Sequence, residues 1–397
     1  MRRSKRRLAI GLMFVLAGLY ALLMATCSPV NVEFGHLASG VSIWQTGSFA
    51  DYPVNPPLVK LAASAPAVAL LERRDWRLCW LPLPHRSELI VGQQLAAAHS
   101  DRWFLFLLAG RAICALMSMT AIWVCWHWAR ELYGGAAAWV AAIALAVEPS
   151  FMAWSTFVST DAPAAALGVL AVYWFWLWLR GPTWRRAALL GLFLGLALLT
   201  KFTWLVLAPL LPCLWLFWSF TNRNGGACGA PSLRVQCGQL AIALVLAAYL
   251  VNLGFGFDGS FQQLGTYRFH SRTLAGNEAL VDGGNGGNRF FSSWIGAVPV
   301  PVPRDYLLGI DLQKIDFERN WGAISTASIT KKAAGTTTSR RWPSRCHWGS
   351  GSWRSWWAAE ARRRLGALCP RIFPPARLVH GRPQRPPGAP RGATRWC

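Results

Sequence analysis

LAIGLMFVLAGLYALLMAT (8–26) contains no charged residue. A bilayer core about 30 Å thick needs about 20 apolar residues in a helix rising about 1.5 Å per residue, so this run has the length of a spanning helix. The chain repeats the pattern in FLFLLAGRAICALMSMTAIWVCWHWA (104–129) and in apolar runs near 135–148, 162–180, 186–201, 203–220 and 236–254. Seven spans are read in this way. The run at 135–148 is short, and its reading continues through 150–158 as a broken or re-entrant helix. The fold class is all-α: a polytopic membrane helix bundle with extracytoplasmic loops and a disordered basic C-terminal tail.

Composition agrees. Of 397 residues, 54% are hydrophobic and only 14% charged, against about 25% charged in a soluble domain. The 24 Trp suit the two bilayer interfaces, where an amphipathic ring sits at headgroup level. The ten Cys are scattered without CxxC or paired spacing, and several lie inside apolar runs, so neither a zinc site nor a disulfide framework is expected. MRRSKRR (1–7) before the first apolar run resembles a signal peptide. The run is too long for a cleavable one and ends in ATCSP without an A-x-A-like site, so it reads as a retained anchor.

Lys/Arg bias sets orientation. Arg2, Arg3, Lys5, Arg6 and Arg7 hold the N-terminus in the cytoplasm of a multi-pass protein of the cell membrane, inner or plasma. With alternating helices, Arg130, Arg180, Arg185, Arg186, Arg223 and Arg234 fall on that same side. The expected organisation is residues 1–26 as cytoplasmic N-terminus and first span, 27–102 as first extracytoplasmic loop, 103–254 as transmembrane bundle, 255–322 as a second large extracytoplasmic loop, and 323–397 as tail. Within the first loop, PLVKLAASAPAVALLE (57–72) is too short to span and reads as a helix lying on the membrane surface.

Ionisable groups at membrane depth are costly and are candidates for function. Glu33 lies just beyond the first span, with His36 one helical turn later on the same face. Asp161 opens the 162–180 run; Ser159, Thr160 and Asp161 before Ala162-Pro163 also suit a plain helix cap. Lys201 sits between two apolar helices, where snorkelling is the plain alternative. Arg111 lies within the 104–129 span and needs a partner or a function. Asn55-Pro56-Pro57 is a rigid breaker. Arg268, His270, Arg272, Arg289 and Arg304 in the second loop bind phosphate or merely solvate it, the plain reading being favoured. GGNGGN (283–288) lacks the ending of a phosphate loop and marks a flexible segment.

VEFGHLASG (32–40), NPPLVK (55–60), GRAICALM (110–117), LAVEPSFMAWSTFVSTDAP (145–163), GLALLTKFT (195–203) and VPRDYLLGIDLQK (302–314) occur in one order. That order resembles the bacterial members of the dolichyl-phosphate-mannose-protein mannosyltransferase-like group, with the lipid A aminoarabinose transferases and RgtA/B/C/D-like enzymes, over residues 8–322. The resemblance implies a GT-C fold and transfer of a sugar from a polyprenyl-phosphate donor to a glycan, lipid or protein acceptor at the outer membrane face. It implies catalytic roles for Glu33, as the base or its support, and for Asp161. It implies that Lys201 holds the lipid phosphate; His36, Arg111 and Asn55 join Lys201 as candidate substrate-binding residues from their own positions in the sequence. The family carries an acidic pair in its first outer loop; here the pair reads Val32-Glu33, with one acid missing. The three residues Glu33, Asp161 and Lys201 are expected to line one cavity. No cofactor is expected beyond the lipid-linked donor as substrate, a divalent cation being left open, and the partners are membrane lipid and acceptor, not nucleic acid. The alternatives are a multi-pass transporter and a non-catalytic membrane protein.

The family's fold has more spans than seven, which implies that a C-terminal part is missing. From Ile324 onward hydrophobic periodicity stops, and residues 324–397 hold 15 Lys/Arg against one acid, Glu360. A change of reading frame near Gly322-Ala323 accounts for this. Back-translated and read from one base earlier, ISTASITKKAAGTTT (324–338) yields YLHGEYHKEGGWYYY, the Tyr/Trp-rich loop that the family places here. The same shift lets RWPSRCHWG (341–349) read ALAVKVPLG, the start of an apolar helix. Low order after residue 322 and little activity are the expected consequences.

Overall fold

The computed structural model describes residues 2–73, 76, 80, 87–221 and 231–318. The tail and the frame-break reading lie outside the described residues. In chain order the helices are α1 (Arg2–Thr26), α2 (Asn31–Thr46), α3 (Leu58–Val68), α4 (Glu88–Ala98), α5 (Trp103–Tyr133), α6 (Gly135–Val147), α7 (Pro149–Ser155), α8 (Asp161–Arg180), α9 (Trp184–Leu198), α10 (Leu207–Thr221), α11 (Leu233–Gly254), α12 (Arg272–Ala275) and α13 (Arg304–Glu318), with a 3-10 turn at Phe202–Val206 leading into α10. The described residues form no strand; Gln263 with Pro299 and Phe269 with Gly287 make single antiparallel bridges.

Four segments are long and apolar enough to cross a membrane: α5, α8, Phe202–Thr221 and α11. Two bent pairs raise the number to as many as six: Phe14–Thr26 with α2 at 87°, and α6 with α7 at 64°. The seventh expected span is α9, whose 15 residues fall below that length; it nevertheless carries the chain from Arg180 at one end of α8 back to Lys201, which pairs with Asp161 at the other end. The expected break after 148 is present and has a local cause. Glu148 precedes Pro149 and is extended, its carboxylate accepts the Phe151 N–H at 2.5 Å, and Pro149 takes the first turn of α7.

The bundle is built by neighbours in sequence. Helix α5 packs on α6 and α8, α8 on α9, and α9 on α11. Its main core includes Phe175 and Trp178 of α8, Leu190 and Leu194 of α9, and Ala243 and Ala247 of α11. Gly191 and Gly195 let α9 approach α11 backbone to backbone, the small-residue contact that suits helices in lipid. The buried Trp178 indole N–H donates to Gln239 Oε1 at 2.9 Å. Facing outward are Leu116, Phe217 and Val245, each about two-thirds exposed or more. Such an apolar exterior is the face a bilayer covers.

Helices α2, α3 and α4 gather beside one end of α5. Helix α3 falls inside the expected 57–72 stretch, with Val59, Lys60, Ala63, Ser64 and Ala67 buried as it packs on α2 and α5. The Leu58 N–H donates to Leu199 O at 3.1 Å, tying the start of α3 to the end of α9. Helix α13 closes the same end. Tyr306 meets the rings of Phe202 at 4.9 Å and Phe255 at 5.8 Å, and Leu312 and Ile315 pack with Tyr52 and Val54. Gly309 lies so close to the Pro53 carbonyl and the Phe202 ring that a Cβ would overlap both. Gly309→Val is expected to lift α13 from this seat at a cost of about 1–3 kcal/mol. A thermal melt of the detergent-solubilised protein reads this loss; an unchanged midpoint contradicts the seating.

Candidate active site

Two ion pairs stand at the α13 end of the bundle, and they differ in nearly every physical respect. The first joins Glu33 and Arg111. Glu33 is the third residue of α2, and its Oε2 accepts the Val30 N–H at 2.9 Å, the reach-back half of a capping box. Arg111 Nε and Nη2 each donate to this carboxylate at 2.8 Å, a two-pronged pairing. Arg111 Nη1 donates to Met24 O at 2.6 Å and Cys27 O at 3.0 Å, carbonyls at the end of α1 that the helix leaves unpaired. Glu33 Oε1 also accepts the Val158 N–H at 2.9 Å. One pair thus ties α1, α2, α5 and the α7–α8 link, and both side chains are enclosed, at 0% and 1% exposure. Glu33 is thus fully enclosed, whereas Asp161 and Lys201, with which it was expected to share a cavity, are partly open.

The second pair joins Asp161 Oδ1 and Lys201 Nζ at 2.6 Å, with side chains 42% and 30% exposed. Asp161 is the first residue of α8, and Thr160 before it holds the cap position without a side-chain capping bond. The carboxylate therefore does not cap the helix; it faces Lys201 and accepts the Ser159 hydroxyl at 3.2 Å. Lys201 is extended, with φ −153 and ψ 134, between the end of α9 and the 3-10 turn. The two pairs are close along the chain. Val158 binds Glu33, and Asp161 is three residues on, at most about 11 Å of backbone.

His36 is buried with its ring 6.0 Å from that of Tyr52. Lys60 shares the neighbourhood, its Nζ 4.2 Å from the Tyr52 ring centre and 2.6 Å from Tyr52 O. Asn55 adopts φ +63, a left-handed turn that Asn tolerates better than most residues, just before Pro56-Pro57.

Sequence reasoning gave no role to three further carboxylates. Asp305 of α13 is buried, and its carboxyl is pushed up to about 6, first by that burial and then by the charges of Asp258 and Asp51, with Arg304 opposing. Burial also raises Asp51, whose Oδ2 accepts the Ser42 hydroxyl at 2.9 Å. VPRDYLLGIDLQK had been singled out as a motif, but only the seat of α13 brings Asp305 toward Asp51 and Asp258. Among the described residues no group of three or more His, Cys, Asp or Glu is arranged to hold a metal ion.

An apolar helix bundle of this kind, with the two ion pairs at one end, is the architecture of a polytopic membrane protein. Residues 106–253 match the family model of dolichyl-phosphate-mannose-protein mannosyltransferase. This stretch, less than half of the chain, is similar to that mannosyltransferase family. It includes Arg111, Asp161 and Lys201 and ends before Asp258 and Asp305. No curated protein and no solved structure matches the chain significantly.

Proposed function

We propose that the protein transfers a sugar from a polyprenyl-phosphate donor to an acceptor hydroxyl on the extracytoplasmic face of the cell membrane, with its N-terminus in the cytoplasm. The carrying observation is the Asp161–Lys201 pair, which is open to solvent where the neighbouring Glu33–Arg111 pair is sealed. Lys201 is the cation for the donor phosphate. As the phosphate takes Lys201, Asp161 loses its partner and becomes the free carboxylate that accepts the acceptor proton. The acceptor oxygen forms its bond to the sugar C1 while the bond from C1 to the phosphate oxygen breaks. The phosphate leaves on its lipid and the proton rests on Asp161.

Glu33 enters as a positioning residue. Both its oxygens are already occupied by donors, so it supports the site by holding Val158, three residues before Asp161. Arg111, with its donors spent on protein oxygens, belongs to the same support. His36 of α2 and Asn55 in the turn before α3 are further candidates for substrate contact.

Lys201→Gln is expected to raise the donor KM about tenfold or more while the fold is kept, because an exposed pair contributes at most about 1 kcal/mol to stability. Transfer from a radiolabelled short-chain polyprenyl-phosphate mannose in proteoliposomes measures it. Donor KM and kcat equal to those of the parent would remove Lys201 from the phosphate site.

A further inference from the structure

Of the five basic residues singled out in the second loop, the fold gathers three and ties off two. Arg272 pairs with Asp282 at 2.5 Å, and Arg289 donates to Thr273 O at 2.7 Å. Arg268, His270 and Arg304 instead line one cavity of about 900 Å³, together with Gln262, Gln263, Tyr267 and Asn285. The cavity lies on the face of α13 that carries Arg304, Leu308 and Asp311, whereas Tyr306 and Gly309 on the opposite face rest on Phe202 and Pro53. It is therefore distinct from the Asp161–Lys201 pair.

Its chemistry points to a ligand. Tyr267 is 95% buried, and neither its hydroxyl nor His270 Nδ1 has a hydrogen-bond partner among the described residues. Buried polar atoms are ordinarily satisfied, and two orphans on one cavity wall call for a ligand with hydroxyl groups. The charge is one-sided. Arg268 and Arg304 are exposed, and Arg268 spends one donor on Asn285 O at 2.9 Å. The lining's single acid, Asp311, is fully buried with both oxygens held by the His270 and Ser271 N–H groups at 2.7 and 3.0 Å. Asp305, next to Arg304, is buried and does not line the cavity, though its charge is felt at Tyr267. Side-chain amides complete the wall, the groups that match sugar hydroxyls in donor and acceptor capacity. The volume is at the upper end of small-molecule sites, about 300–1,000 Å³, and exceeds what one hexose fills.

We propose that this cavity binds an acidic saccharide of more than one sugar unit, its carboxylate or phosphate between Arg268 and Arg304 and its hydroxyls on Tyr267, His270 and the amides. The assignment deepens the transfer reading by giving the class of the acceptor, and it rests on that reading for the word acceptor alone.

Binding is measured without turnover, by calorimetry on the full chain in nanodiscs, so loss of transfer activity does not affect the result. The probes are a glucuronate-bearing disaccharide, its neutral glucose counterpart, glucose 6-phosphate, inorganic phosphate and a short-chain polyprenyl phosphate. The acidic disaccharide is expected to bind about tenfold or more tighter than the neutral one, and Arg304→Gln and Arg268→Gln each to cost about tenfold. Tyr267→Phe is expected to weaken binding severalfold and Arg272→Gln to leave it unchanged. Equal affinity for neutral and acidic disaccharides, or an unaltered Arg304→Gln, overturns the proposal. So does inorganic phosphate binding as tightly as glucose 6-phosphate, which would mark a simple phosphate site. Displacement of the disaccharide by polyprenyl phosphate would make the cavity a donor site and overturn it equally.

Discussion

Glu33→Gln is expected to destabilise the protein by about 3–5 kcal/mol, because it leaves the Arg111 guanidinium buried without its counter-charge. The penalty is large since Arg111 is 1% exposed and cannot turn to water. Its remaining bonds go to Met24 and Cys27 carbonyls, which offset only part of a full charge. The double replacement Glu33→Leu with Arg111→Leu removes both charges together, so it is expected to cost far less than either single change. Thermal melts of Glu33→Gln, of the two single leucine variants and of the double in one detergent separate these cases. A Glu33→Gln midpoint equal to that of the parent would contradict the pairing. A double variant as unstable as the sum of the singles would show that the two side chains act independently.

Asp305→Asn is expected to stabilise the protein at neutral pH by on the order of 2–3 kcal/mol. The sign follows from the raised carboxyl, at about 6 against 3.8 for the free side chain. Between these values the folded chain holds more protons than the unfolded one, so stability falls as pH rises through that window. Above it, the ionised carboxylate sits buried near Asp258 and Asp51, with Arg304 only partly compensating. Asparagine removes the charge and the slope together. Midpoints recorded between pH 4 and pH 7 test it. The parent should lose stability over that interval and the variant should lose less. A parent that gains stability on going from pH 4 to pH 6 at this site would reverse the assignment.

What the sequence revealed depended on the range of each signal. The helix bodies were legible because apolar length is local: α5, α8 and α11 fall where the runs 104–129, 162–180 and 236–254 placed them. The break at Glu148-Pro149 was legible for the same reason. The role of α9 was less so, because its helix is short by itself, and it is the Lys201–Asp161 pair and its packing on α8 and α11 that show it running the length of α8. Arg111 announced its need for a partner by its depth in an apolar run. That the partner is Glu33, 78 residues away, and that Val158 joins them, follows from tertiary packing and not from periodicity. Lys201 and Asp161 were each legible as ionisable groups at helix ends, but the cap reading of Asp161 competed until its carboxylate was seen on Lys201. The Asp51, Asp258 and Asp305 group left no local mark. It exists because Gly309 lets α13 settle against Pro53 and Phe202.

The two ion pairs invite opposite outcomes from matched changes. Burial makes Glu33–Arg111 a matter of stability; exposure makes Asp161–Lys201 nearly free of it. The most direct test is the rate of sugar transfer per folded molecule for Asp161→Asn and Glu33→Gln, assayed side by side in proteoliposomes with their melts recorded. The account predicts that Asp161→Asn melts like the parent and transfers sugar about a hundredfold or more slowly, the usual scale for losing a general base. It predicts that Glu33→Gln melts lower and loses total rate mainly with the folded fraction, its rate per folded molecule falling far less than that of Asp161→Asn. An Asp161→Asn protein with full turnover, beside a Glu33→Gln protein that melts normally and transfers nothing, would contradict it.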